Sequence, residues 1–212
     1  MYFLRKRKVR FLQISNSSIV HYDFTETNQL KKFIVATGIL NHVWQSWNQF
    51  WRAYWIAHII GGRDLQNNRI VPSHPHLSEP EALYYLLTLL PGKKKKGSTG
   101  SVRSSRKEST WGDIKIIQEL AFHVSSPSNN VSNALNAASL FGTTIDHFQT
   151  IRNAQIHISN SNMNDLKSVV SYYVIASKPK YPHDIIEARE LSSGKVAIRA
   201  WIEDMNNFLA YM

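Results

Sequence analysis

Three polar residues with chemically useful side chains lie close together in residues 151–160, which read IRNAQIHISN. A histidine can take up or release a proton near neutral pH, and an arginine can bind a phosphate group through several N–H donors. On a helical wheel, Arg152 falls within the apolar arc of this segment, whereas Asn153 and His157 lie together on another side. The segment therefore combines a proton carrier with an anion-binding group.

The position of Arg152 has a structural and a functional interpretation. A charge that is buried without a partner costs several kcal/mol, so a guanidinium in an apolar stripe requires a neighbour or an exit to solvent. In the structural interpretation, Arg152 reaches the surface or pairs with a core acid such as Glu119 or Glu203, and His157 is an ordinary helical histidine. In the functional interpretation, the apolar pattern is broken because these side chains serve a site.

The pattern R-N-x-x-x-H, formed by Arg152, Asn153 and His157, resembles the signature of HEPN domains. These helical domains occur in prokaryotic toxin and antiviral systems and in some eukaryotic ribonucleases. The resemblance covers residues 29–212 in architecture and only the motif in residue detail, because the family has a bundle of four or more helices with the motif late in the chain. It implies a metal-independent endoribonuclease that acts on RNA as a homodimer and uses no cofactor.

The resemblance also implies a role for each motif residue. RNA supplies its own nucleophile, the 2′-hydroxyl, so the protein has to move protons and stabilise charge on the phosphate. His157 would act as general base or general acid, Arg152 would bind the phosphate in the transition state, and Asn153 would orient the phosphate or the histidine. One histidine cannot easily serve as both acid and base in one step, and a two-fold dimer supplies a second. The expected product carries a 2′,3′-cyclic phosphate.

One position departs from part of this family. In HEPN toxins controlled by nucleotidyltransferase antitoxins, a tyrosine that becomes modified follows two residues after the histidine, and Ser159 occupies that place here. We therefore expect a toxin of the antiviral or abortive-infection type, with an antitoxin or a sensor protein of a defence system as its partner. Two alternatives remain open, namely a non-catalytic HEPN-like module that binds RNA, nucleotide or protein, and an unrelated helical structural protein.

The net charge of +10 is concentrated in two short runs that contain no acidic residue. The first occupies residues 5–10 and the second lies between residues 93 and 107. Clustered cations bind phosphate backbones, but charge runs are also common in solvated loops and tails. We predict that the second run binds RNA. Its basic residues are Lys93, Lys94, Lys95, Lys96, Arg103, Arg106 and Lys107.

The composition and the motifs that are missing exclude several kinds of site. The chain has no cysteine, which excludes disulfides, thiolate zinc sites and thiol nucleophiles. Its nine histidines lack a metal-binding spacing such as H-E-x-x-H, and neither a Walker phosphate loop nor a dinucleotide fingerprint is present. Neither a secretory signal nor a membrane span is recognisable, so we expect a soluble, cytoplasmic protein that does not bind a membrane.

Hydrophobic spacing predicts an all-α fold with a mobile basic loop at about 92–110, and the resemblance implies that residues 29–212 form a HEPN-like helical bundle. The basic extension over residues 1–28 is compatible with a short N-terminal β-hairpin, because β-branched and aromatic residues flank a turn-prone cluster at 16–18. A long helix is expected from about residue 28 to Gly61. Further expectations are a capping box at Ser78 and Glu81, a cap at Asp113, a break at Gly142 with a new cap at Thr144, an interruption at 160–162, and helices over 165–176 and 195–211.

Two stripes run along the long first helix. Four tryptophans between residues 44 and 55 recur at helical spacing and predict a core or a subunit interface, although aromatic rings also stack on unpaired bases. A polar line on another face points either into the active-site cleft or into solvent. Asn48 and Arg52 are the candidate cleft residues of this line, which consists of Asn41, Gln45, Asn48 and Arg52.

Overall fold

The computed structural model describes residues 2–91, 100–102, 109–124, 129–157, 159–175, 179 and 181–212, without the side chains of residues 129 and 130. These residues are mostly helical, which confirms the predicted all-α class. Over the described residues the α-helices are α1 (Leu4–Val20), α2 (Gln29–Ile60), α3 (Glu79–Leu89), α4 (Ile114–His123), α5 (Asn129–Ile156), α6 (Asn160–Val170) and α7 (Ala197–Tyr211), and Pro182–Ile185 forms a 3₁₀ turn.

The strands of the described chain are all two residues long and form two small sheets. In the first sheet β1 pairs in parallel with β2, with Tyr2 opposite Gly62, and β2 pairs antiparallel with β3. In the second sheet β4 pairs antiparallel with β5, with Tyr173 opposite Glu190. The strands are β1 (Tyr2–Phe3), β2 (Gly62–Arg63), β3 (Arg69–Ile70), β4 (Tyr173–Val174) and β5 (Arg189–Glu190).

The expected N-terminal β-hairpin is wrong, because residues 4–20 form helix α1. Leu4, Phe11, Ser15 and Ser18 are buried, and their spacing places them on one side of a helix. The hydroxyls of Ser15 and Ser18 donate to the carbonyls of Leu12 and Ile14, at 3.1 and 2.8 Å. The serines that suggested a turn are therefore accommodated within the helix by bonds to the preceding turn.

Helix α2 has the predicted extent and ends where glycine was expected. Gly61 has a φ of +99°, and its N–H donates to the carbonyl of Ala57 at 2.9 Å, which closes the last turn. All four tryptophans of the stripe are buried, with at most 2% of any side chain exposed, so they belong to the core. None of the helices in the described chain has the length and apolarity needed to cross a membrane.

Helix α5 is continuous, so the expected break at Gly142 and the expected cap at Thr144 are both wrong. Ala138, Ile145 and Phe148 are buried and continue one apolar face through this region. A glycine inside a helix costs about 1 kcal/mol relative to alanine, and packing of this face outweighs that cost. The motif therefore lies at the C-terminal end of a helix of 28 residues.

Helix α6 begins and ends earlier than the sequence suggested. Ser159 is its N-cap, and the Ser159 side chain accepts a hydrogen bond from the N–H of Asn162 at 3.2 Å. Residues 160–162 therefore start the helix instead of interrupting it. The helix ends at Val170 and strand β4 follows, which corrects the expected helix over 165–176.

The chain divides into two compact units, and the division expected near residue 28 remains a prediction. The core of unit 1 is aromatic: the Trp47 ring lies 5.4 Å from Phe11 and 5.5 Å from Phe208, centroid to centroid. In the same unit, the Glu79 carboxylate pairs with Arg52 at 2.8 Å and accepts the hydroxyl of Tyr2. Unit 1 comprises Met1–Phe11, Ser46–Leu140 and Phe208–Met212.

Unit 2 contains the motif and has a core of its own. Its central aromatic group is Phe148, whose ring stacks against Trp44 at 6.0 Å and meets Trp201 edge-on at 5.7 Å. The indole N–H of Trp201 donates to the hydroxyl of Tyr173 at 2.7 Å, and that hydroxyl lies 2.9 Å from Nδ1 of His147. Unit 2 comprises Leu12–Gln45 and Phe141–Asn207.

Candidate functional site

The three motif residues lie at the end of α5 and immediately after it. Arg152 and Asn153 occupy its last turns, and His157 follows the final helical residue, Ile156. The N–H of His157 still donates to the carbonyl of Asn153 at 2.8 Å, so the last turn holds its backbone in place. The amide of Asn162 donates to the carbonyl of His157 at 2.6 Å and satisfies a group that the helix end leaves open.

The guanidinium of Arg152 is half-buried and is held by two amide oxygens. Nη1 donates to Oδ1 of Asn153 at 3.0 Å, and Nη2 donates to Oδ1 of Asn41 on α2 at 2.8 Å. Nε is fully buried and has no hydrogen-bond partner among the described residues. Burial lowers the pKa of Arg152 from its ordinary value, but an arginine remains protonated in proteins.

Within the described chain, no carboxylate lies within salt-bridge distance of Arg152, so the alternative that it pairs with a core acid is wrong for Glu119 and Glu203. Glu119 contacts His123 at 2.9 Å, and Glu203 pairs with Lys195 at 2.7 Å. Because the partners of Arg152 are neutral amides, its positive charge is oriented but not neutralised. Such a group favours a negatively charged ligand.

A second polar contact accompanies the first. Gln155, with 2% of its surface exposed, donates from Nε2 to Oγ1 of Thr37 on α2 at 3.1 Å. The Thr37 hydroxyl in turn donates to the carbonyl of Phe33 at 2.7 Å. Thr37 and Asn41 are one turn apart on α2, so neighbouring positions of this helix bond Gln155 and Arg152 of α5.

The imidazole of His157 is exposed and makes no hydrogen bond to any part of the chain that the structure describes. Its ring is therefore accessible to a substrate or to a second protein. Asn153 contacts both other motif residues: its side chain accepts from the guanidinium of Arg152, and its carbonyl accepts from the backbone N–H of His157. The site in unit 2 thus offers a fixed cation and an accessible proton carrier.

The other predicted site residues are placed differently. Asn48 accepts the N–H of Gly112 at 2.8 Å, and Arg52 forms the ion pair with Glu79, both within unit 1. Each side chain therefore has a structural role that accounts for its polar character. All the basic residues predicted to bind RNA lie outside the described residues, namely Lys93, Lys94, Lys95, Lys96, Arg103, Arg106 and Lys107.

Asn41 belongs to the site and Gln155 packs beside it, although neither was singled out from the sequence. Asn41 stands in the polar line of α2, and that line was the available signal. The line alone did not distinguish Asn41 from Asn48, because the distinction depends on a contact across 111 residues of sequence. Gln155 occupies a variable position of the motif, so its type carried no signal at all.

Comparisons with protein-family models, with curated proteins and with solved structures found no match to this chain. No group of three or more histidine, aspartate or glutamate side chains that could hold a metal ion occurs among the residues described.

Proposed function

We propose that this protein is a metal-independent endoribonuclease with a HEPN-like helical fold, acting as a toxin or an antiviral defence effector. Its site consists of Arg152, Asn153 and His157, and two copies of the chain complete it in a homodimer. The observation that carries the proposal is the environment of Arg152, whose charge is fixed by the neutral side chains of Asn41 and Asn153. An oriented cation of this kind suits the phosphate of an RNA backbone.

The donors of Arg152 suffice for such a ligand. A guanidinium has five N–H donors, and two of them bond Asn41 and Asn153. One further N–H remains on each of Nη1 and Nη2, and phosphate oxygens can accept hydrogen bonds from both. As charge builds up on these oxygens in the transition state, the two hydrogen bonds strengthen, which lowers the barrier.

The reaction needs two proton transfers, and His157 supplies one in each copy of the chain. A neutral His157 removes the proton of the 2′-hydroxyl, whose oxygen attacks the adjacent phosphorus. The bond from phosphorus to the 5′-oxygen breaks, and the protonated His157 of the second copy gives that oxygen its proton. The products are a 2′,3′-cyclic phosphate and a 5′-hydroxyl, and no atom or charge is left over.

The test compares cleavage of purified cellular RNA by the wild type, His157→Ala and Arg152→Ala. We expect each substitution to lower the cleavage rate by about 10²-fold or more, since each removes a group that takes part in the proposed reaction. Circular dichroism and sedimentation should show an unchanged fold and the same dimer. Wild-type cleavage should persist in EDTA and yield cyclic phosphate ends.

The outcome also distinguishes the proposal from its main alternative. A wild type that binds RNA but leaves it intact during prolonged incubation would support a non-catalytic HEPN-like module. Cleavage that His157→Ala retains at the wild-type rate would exclude this site as the source of activity. Growth inhibition in bacteria by the wild type alone, with fragmented RNA, would support a toxin role.

A further inference from the structure

We propose that Asn41, which lies outside the motif, is a positioning residue that orients the guanidinium of Arg152 while leaving its charge available to a phosphate. The inference rests on the proposed role of Arg152 in binding RNA. It assigns a function to a residue of α2 for which the motif gives no indication.

The contact is specific in geometry. Oδ1 of Asn41 accepts from Nη2 of Arg152 at 2.8 Å, and Asn153 accepts from Nη1 at 3.0 Å. With the two Nη atoms bonded to separate side chains, the plane of the guanidinium is fixed. Asn153 alone would fix one end only, because a single hydrogen bond permits rotation about the other torsions of a long side chain. The Asn41 contact therefore decides where the remaining N–H groups point.

The neutral charge of Asn41 matters as much as its position. An aspartate would accept the same hydrogen bond and would be the usual partner of a half-buried arginine. It would also neutralise the cation, so an RNA phosphate would have to compete with a carboxylate already in place. An asparagine provides the geometry of the pair without that competition.

Thr37 provides a matched comparison within the same helix. It lies one turn before Asn41, it also bonds a polar side chain of α5, and its partner is Gln155 instead of Arg152. Thr37→Val removes that hydrogen bond and leaves the Asn41 contact in place. A purely structural role for these contacts predicts similar consequences at both positions, whereas positioning of Arg152 predicts an effect at Asn41 alone.

The experiment measures cleavage of RNA and, separately, binding of a mixed-sequence 2′-O-methyl oligoribonucleotide, which lacks the nucleophile and cannot be cut by this route. We expect kcat/KM to fall about tenfold in Asn41→Ala, since a hydrogen bond to a charged group is lost. In Asn41→Asp we expect a loss of about a hundredfold and clearly weaker oligonucleotide binding, with thermal stability at or above that of wild type. Thr37→Val should stay within about twofold of wild type in both assays.

Each result bears on the inference. Cleavage and binding by Asn41→Asp at the wild-type level would overturn it, as would equal losses in Asn41→Ala and Thr37→Val. If Asn41→Asp does not fold, the comparison of Asn41→Ala with Thr37→Val decides. If the wild type binds the oligonucleotide with the expected order of variants but cuts no RNA, the nuclease proposal fails and the role of Asn41 stands. A wild type that does not bind would overturn both.

Discussion

The imidazole of His58 is fully buried in unit 1 and makes one hydrogen bond to the described residues. Nδ1 lies 2.9 Å from the carbonyl of Tyr54, so Nδ1 carries the hydrogen and donates. Nε2 is buried and has no hydrogen-bond partner in the part of the chain that the structure describes. A second proton would therefore place a charge in the core without an acceptor, and burial lowers the pKa of His58 from 6.5 to about 4.

This histidine should make the protein sensitive to acid. Above about pH 6.5 the imidazole is neutral in the folded and the unfolded chain. Between about pH 6.5 and pH 4 the unfolded chain takes up a proton that folded His58 does not, so the free energy of unfolding should fall by about 3 kcal/mol. Denaturant unfolding at a series of pH values measures this loss.

The contribution of His58 is isolated by two variants. His58→Phe replaces the imidazole by an apolar ring and should show a smaller decrease of unfolding free energy over the same pH range. His42→Gln serves as the control, because it changes a histidine that lies at the surface. An unaltered pH profile in His58→Phe would contradict the assignment.

The motif residues could be found from the sequence, but their contacts could not. Arg152, Asn153 and His157 were recognisable because their spacing is local. That Arg152 is held by Asn41 depends on the packing of α2 against α5 within unit 2, which no local pattern encodes. The structural alternative offered Arg152 a core acid or an exit to the surface, but the side chains that hold it are neutral amides.

Helix α2 contains an exposed glycine whose replacement should stabilise the protein. No heavy atom lies within 4 Å of the position that a Cβ at Gly38 would occupy. Gly38→Ala removes conformational freedom from the unfolded chain and should raise the free energy of unfolding by about 0.5–1 kcal/mol. Thermal or denaturant unfolding measures the change.

Gly62 in strand β2 gives a comparison of opposite sign. A Cβ there would lie 2.8 Å from the carbonyl oxygen of Tyr2 and 2.9 Å from the Cβ of Ala57, so Gly62→Ala should destabilise the protein. A loss of stability in Gly38→Ala, or none in Gly62→Ala, would show that these local environments are incorrectly described.

The ends of helices were predictable where a side chain bonds a backbone N–H two or three residues away. Asp113 accepts the N–H of Lys115 at 2.9 Å, and Glu81 accepts the N–H of Ser78 at 2.8 Å, as their types and spacing indicated. Gly142 was misinterpreted because its local propensity is overruled by the apolar face on which α5 packs. Helix α1 was missed for a related reason, since its serines favour turns unless a helix offers them carbonyls.

For the molecule as a whole, the net charge of +10 is carried by the two basic runs. The first run lies on α1, where Arg5, Lys6, Arg7 and Arg10 are exposed. If RNA is the substrate, these cations should release counterions on binding, so affinity should fall steeply with salt. Changing Arg5, Lys6 and Arg10 to glutamine should reduce the slope of log affinity against log salt by about 2.

The control for this measurement replaces an equal number of exposed cations outside the basic runs. That variant has the same net charge as the α1 variant, so a difference between them reports the local cluster and not the total charge. Equal slopes in the two variants would mean that α1 takes no part in binding. The control residues are Arg69, Lys115 and Lys167.

The bond between Arg152 and Asn41 makes the six-residue pattern insufficient on its own. A peptide or fragment that carries residues 151–157 without α2 retains every letter of the motif, but its arginine is free to turn in solvent. If the proposed role of Asn41 holds, a chain that shares these letters also needs a neutral acceptor from a distant helix, and a carboxylate at that place should weaken its binding of RNA.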